Sequence, residues 1–176
     1  MNQNEQDTRY LKMAHLWAGN SHAVRLKVGA LLVKNGTIIA DGYNGTLHGF
    51  PNVCEYAKYP DGTTKEFRHV WQVEQLKELV EKGEVALVTK QDVLHAEANA
   101  ISKVAKSTQS CEGATLYVTD SPCYACSLML AQMGIKRVVY DREYRDTSGI
   151  DLLVSAGVQV VRVPISGGDI ELSINK

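Results

Sequence analysis

Residues 115–163 read TLYVTDSPCYACSLMLAQMGIKRVVYDREYRDTSGIDLLVSAGVQVVRV. An apolar run, Thr115–Thr119, is followed by a helical stretch, Cys123–Met133, that stops at Gly134. A second run, Lys136–Tyr140, leads to a helical stretch over Gly149–Ala156 closed by Gly157, and Val158–Val163 is a third run. Strands alternating with helices of about ten residues predict an α/β chain whose sheet is at least partly parallel.

Working outward, Ala96–Lys106 reads as a helix with Ala98, Ile101 and Ala105 on its apolar face. Val28–Val33 and Thr37–Tyr43 read as strands, and the Asn35-Gly36 pair between them signals a two-residue hairpin turn. Thr8–Gly19 places Leu11, Ala14 and Ala18 at helical spacing. Gly45–Thr64, with its Gly, Pro, Asn and Asp, reads as a loop. Phe67–Lys82 reads as an amphipathic helix ending at Gly83, its stripe of Phe67, Val70, Trp71, Leu76 and Leu79 forming core or a subunit contact. The expected organisation is a single domain over 1–176 with residues 46–93 as an insertion.

Composition agrees with that size. The 176 residues are 44% apolar and 22% charged, ordinary for a globular chain. No apolar run is long enough to span a bilayer, and from the polar N-terminus MNQNEQD no secretory or mitochondrial signal is expected. A cytoplasmic protein with no membrane partner is expected. Nineteen basic residues against twenty acidic ones leave no basic excess of the kind that replaces counterions along a polynucleotide. Of the four cysteines, Cys54 and Cys111 stand alone, whereas Cys123 and Cys126 form a C-x-x-C, read as a metal or redox site in a reducing compartment.

The informative constellation joins that C-x-x-C to His95-Ala96-Glu97. Cys123 and Cys126 sit three apart on a helix's first turn and point to one side, where free amides lower thiolate pKa values. His95 precedes the previous helix, so one imidazole and two thiolates can meet over adjacent helix starts. Three protein ligands leave the fourth position of a tetrahedral zinc for water, as catalysis requires. Residues two apart inside a helix point about 200° from each other. His95 and Glu97 therefore share a pocket only if His95 enters the helix in extended geometry. Zinc lowers the pKa of bound water from about 16 to about 7. Two thiolates blunt that effect, which raises the value of a nearby proton acceptor, and Glu97 fits that role.

H-x-E with P-C-x-x-C is the signature of zinc-dependent nucleobase deaminases. With KVGA at 27–30, GYNGT at 42–46, HAEANAI at 95–101, LYVT at 116–119 and GIK at 134–136, the chain resembles the deoxycytidylate (dCMP) deaminases, particularly the phage members. The resemblance runs from about residue 8 to 163 and is weakest across the insertion. It implies the three-layer α/β/α cytidine deaminase-like fold with a five-stranded mixed sheet, and hydrolysis of dCMP to dUMP and ammonia for dTTP synthesis. His95, Cys123 and Cys126 would bind zinc, and Glu97 would move protons from water to the ring nitrogen N3 and the leaving amine. By the same analogy the Ala96 amide would hold the base carbonyl, the Ser121 carbonyl would face the amine, and Asn44 would orient base and sugar. Tyr144 and Arg145 would hold the 5'-phosphate, with Arg142 and Lys27 also available. Activation by dCTP with Mg2+, inhibition by dTTP and a homo-oligomer, dimer or hexamer, come with the resemblance.

Several readings stay open beside it. The C-x-x-C could be a thioredoxin-like redox pair, or a structural zinc knuckle with Cys111 as fourth ligand. A non-catalytic zinc-binding module would have no use for Glu97. Deaminases of C5-modified dCMP or of tRNA adenosine share the zinc signature. A second, structural zinc would have to be built from Cys54, His48, His69 and His22, whose spacing is irregular.

Overall fold

The structure, a computed structural model, describes residues 2–165. Helix α1 (Gln3–Ala18) begins where Asn2 caps it: the Asn2 side chain accepts the Glu5 amide at 2.9 Å while the Glu5 carboxylate accepts the Asn2 amide. It therefore starts five residues before the expected Thr8, because the capping box and not the apolar stripe sets its first turn. Leu11, Ala14 and Ala18 face the core as expected.

Strands β1 (Gly29–Lys34) and β2 (Thr37–Tyr43) pair antiparallel through Asn35 and Gly36, both at positive φ (52° and 76°), the geometry that makes Asn-Gly the favoured hairpin turn. β8 (Thr115–Asp120), β9 (Arg137–Arg142) and β10 (Gln159–Arg162) run parallel to one another, and β8 meets β1 antiparallel. The result is a mixed five-stranded sheet in the order β10-β9-β8-β1-β2. Side chains alternate between its faces. Leu31, Val33, Tyr117 and Val139 meet α1, while Leu32, Leu116, Val118 and Val138 form the larger core on the opposite face. Helices α3 (Ala96–Ala105), α4 (Tyr124–Gln132) and α5 (Ser148–Ser155) cover that opposite face. Burial on both faces explains why these strands read as continuous apolar runs. The α/β fold with a five-stranded mixed sheet is thus as the resemblance implies.

The stretch expected to be loop and then one long helix is organised differently. β3 (Gly45–Thr46) pairs with β7 (Val93–Leu94). Between them β4 (Glu55–Lys58), β5 (Thr64–Glu66) and β6 (Ala86–Thr89) form a small antiparallel sheet in the order β5-β4-β6. Strands of three or four residues are too short to show a period, and the Pro and Gly around them mark turns between strands. α2 (Val73–Glu81) follows a 3-10 turn at Val70–Gln72, so the helix begins six residues after the expected Phe67. The Gln72 side chain accepts the Arg68 and His69 amides and holds that entry non-helical. Phe67 and Leu76 are buried in a separate small core with Val53, Ala57, Val73 and Val85, whereas Trp71 is 68% exposed and leaves the expected stripe. Among the described residues no helix is long and apolar enough to cross a membrane.

Candidate active site

Two helices present the metal-type donors in the same way. His95 is the N-cap of α3 (φ −71°, ψ 157°) and Cys123 the N-cap of α4 (φ −71°, ψ 167°), both extended, and neither side chain caps its helix. Each side chain is therefore free to turn away from its helix. Cys126 follows on the buried side of α4. The His95 Nδ1 lies 3.5 Å from both sulfurs, and all three donor atoms fall within 4.8 Å of one another.

Glycines bring those helix starts together. A Cβ on Gly42 would stand 2.1 Å from the Ala96 carbonyl oxygen and 2.7 Å from the Ala100 nitrogen, so only glycine lets α3 lie this close to β2. One on Gly149 would stand 2.3 Å from the Pro122 carbonyl oxygen, where α5 abuts the start of α4.

The donor set fits zinc. Tetrahedral bonds of about 2.3 Å to sulfur and 2.0 Å to nitrogen put such donors about 3.6 Å apart, close to the separations found here. Hydrogen bonds from Cys126 and His95, working against burial, pull the Cys123 thiol down to about 4, so this sulfur is a thiolate at neutral pH. The hydrogen bond with Cys123, together with burial, drives Cys126 upward. The bond with Cys123 raises His95 although burial opposes it. Cys54, His22, His48 and His69 form no metal-type cluster among the described residues.

Glu97 is buried at 3% exposure on the first turn of α3, against the Cys126 sulfur. Burial raises its carboxyl above the usual range, while its own backbone amide and His95 pull the other way. A carboxyl so placed takes up and returns a proton more readily at neutral pH than an exposed one.

The cleft over these donors is lined by Asn44, Ala96, Ser121 and Tyr144. The Ala96 amide is in the first turn of α3, where no intrahelical acceptor exists. The Ser121 hydroxyl accepts the Tyr144 amide at 2.8 Å and fixes the loop after β9 against the cleft. The Asn44 oxygen accepts the Val28 amide at 2.9 Å, and its nitrogen donates to the Leu26 carbonyl at 2.8 Å. Each end of that amide keeps one further bonding position. Arg145 does not line the cleft; it is exposed with its guanidinium over the Tyr144 ring. Arg142 is paired with Asp120 at 2.8 Å.

Sequence reasoning passed over Arg25, the one Arg or Lys lining the cleft among the described residues, and Glu55 and Asp120, which also line it. Nothing local separates Arg25 from Lys27: the bonds that hold this irregular segment come from Glu55, thirty residues away, and from Asn44.

A model of the cytidine and deoxycytidylate deaminase zinc-binding region matches residues 4–142. The chain belongs to this deaminase family. Among its relatives, the deoxycytidylate deaminase of Enterobacteria phage T4 is 36% identical over 169 residues, covering 88% of each chain. The deoxycytidylate deaminase of Saccharomyces cerevisiae is 31% identical over 88% of this deaminase and 43% of its own length. The crystal structure of dCMP deaminase from the cyanophage S-TIM5, in complex with dCMP and dUMP, superposes with a TM-score of 0.72. It is 41% identical and covers 93% of this chain and 99% of its own.

Proposed function

We propose that this deaminase hydrolyses dCMP to dUMP and ammonia at the His95–Cys123–Cys126 cluster. The observation that carries the reading is the buried Glu97 carboxyl beside a three-donor zinc-type site that opens into the Arg25-lined cleft. His95, Cys123 and Cys126 would hold the zinc, and zinc, when bound, makes a water nucleophilic at neutral pH. Glu97 takes a proton from the attacking water, passes it to N3 of the cytosine ring, and helps the amino group leave as ammonia. The Ala96 amide donates to the base carbonyl, the Ser121 carbonyl accepts from the amine, and Asn44 orients base and sugar. Arg25 and Tyr144 hold the 5'-phosphate, the arginine through charge-assisted bonds.

The same reading treats residues 46–93 as an insertion in a single domain. From the resemblance it takes activation by dCTP with Mg2+, inhibition by dTTP, a cytoplasmic homo-oligomer and supply of dUMP for dTTP synthesis. Ammonia release from dCMP, beside cytidine, dCTP and 5-methyl-dCMP, tests it with zinc-loaded protein, with and without dCTP-Mg2+. Turnover of dCMP that disappears in a zinc-retaining Glu97→Ala protein is expected. Silence on every substrate, with zinc bound and dCTP present, overturns it.

A further inference from the structure

Glu55 has no place in the chemistry above, yet it is 1% exposed and lines the same cleft. Its two carboxylate oxygens accept the backbone amides of Val24 and Arg25, each at 3.2 Å. These are charge-assisted bonds to consecutive amides of a segment that carries neither helix nor strand at that point. The Arg25 guanidinium makes its own hydrogen bond to the Thr89 hydroxyl, at 3.4 Å, and among the described residues no carboxylate pairs with it. Glu55 is on β4 and Thr89 on β6, adjacent strands of the small sheet that pair residue for residue at this point. The next residues, Leu26 and Val28, are held by Asn44 at the end of β2. The segment is thus strung between the two sheets, with its one cleft-lining cation anchored to the small one.

We infer that Glu55 and Thr89 are a positioning pair: they aim Arg25 into the cleft, and through it the small sheet sets the preference for a 5'-phosphorylated substrate. The inference deepens the nucleotide reading above and rests on it. An arginine on an irregular segment loses much rotamer freedom when it grips a ligand. Fixing its backbone in advance reduces that loss and so favours binding.

The test is a double-mutant cycle. KM and kcat are measured for dCMP and for deoxycytidine, and dUMP binding by calorimetry, in the wild type, Glu55→Gln, Thr89→Val, Arg25→Gln and the paired variants. Glu55→Gln should raise KM for dCMP on the order of 10-fold, far more than it changes kcat or the KM for deoxycytidine. It should weaken dUMP binding to the same degree. In the Arg25→Gln background that effect should vanish, as it does when two residues act as one unit. Equal losses on dCMP and deoxycytidine, or effects that simply add, overturn the inference. Should Glu55→Gln fail to fold, Thr89→Val carries the cycle and is read the same way. If the wild type deaminates none of the substrates, the functional reading falls separately. Weaker dUMP binding in the variants then still supports the positioning pair, and unchanged binding overturns it.

Discussion

Gly42 and the Ala96 carbonyl are in backbone contact: a Cβ at position 42 would lie 2.1 Å from that oxygen. The obstacle is backbone, so no rotamer change can relieve it. Gly42→Ala must therefore push α3 off β2 and carry His95 and Glu97 with it. A displacement of about 1 Å at reacting groups costs on the order of 100-fold in rate, and overpacking costs about 1–3 kcal/mol of stability. Zinc content, turnover and urea unfolding of the variant check this; wild-type zinc affinity and rate would show that the contact does not set the site.

Removing the metal should expose one cysteine in particular. With its thiol held down to about 4, Cys123 is ionised in the metal-free protein at neutral pH, whereas burial pushes Cys54 up to about 12. Alkylation by iodoacetamide followed by peptide mapping should mark Cys123 first, persist when the pH is lowered to about 5, and stop when zinc is restored. Uniform labelling of all cysteines, or labelling that rises only in alkali, would contradict the site's electrostatics.

Arg25 and Arg145 can be separated as phosphate contacts. Arg25→Gln should raise KM for dCMP by about 10–100-fold, the worth of a charge-assisted hydrogen bond or two. Arg145→Gln should have a smaller effect, since that guanidinium lies over the Tyr144 ring outside the cleft lining. Steady-state kinetics on the two variants decides, and the reverse order would return the phosphate to Arg145.

Away from the cleft, Asp7 on α1 receives both ends of the Arg137 guanidinium, at 2.7 and 2.6 Å, and the Tyr117 hydroxyl at 2.9 Å. Burial pushes this carboxyl up, but Arg137, Gln3 and Tyr117 outweigh it and hold it below the usual aspartate range. A carboxyl lowered on folding contributes stability above its unfolded pKa, and that contribution fades as the pH falls through the folded value. Asp7→Asn should cost about 3 kcal/mol at neutral pH and flatten the acid limb of stability below about pH 4. Urea unfolding between pH 3 and 7 measures both; an equally steep acid limb in the variant would place the acid sensitivity elsewhere.

What was legible in the sequence is what local spacing determines. Asn35-Gly36 forces a turn by its own dihedral preferences, and the C-x-x-C presents two sulfurs within a single helical turn. His95 and Glu97 could be assigned different tasks because an N-cap residue and a first-turn residue point differently. The misses share a physical cause. Phe67 is buried in the small core that forms only when the short strands β4, β5 and β6 pair across the segment, and Trp71 is exposed on the 3-10 turn that precedes α2. Arg25 enters the cleft because Glu55 ties down its amide, a long-range bond that no window of neighbouring residues contains.

The small core around Phe67 and Leu76 is separate from the core that supports the zinc-type donors. The cleft therefore opens along a seam between two independently packed bodies. Local opening of the smaller body requires less free energy than unfolding the whole chain. On the dCMP reading proposed above, loosening there would release the phosphate held by Arg25, while α3 and α4 pack on the larger core. Product could then leave, and fresh substrate enter, without disturbing the His95, Cys123 and Cys126 donors.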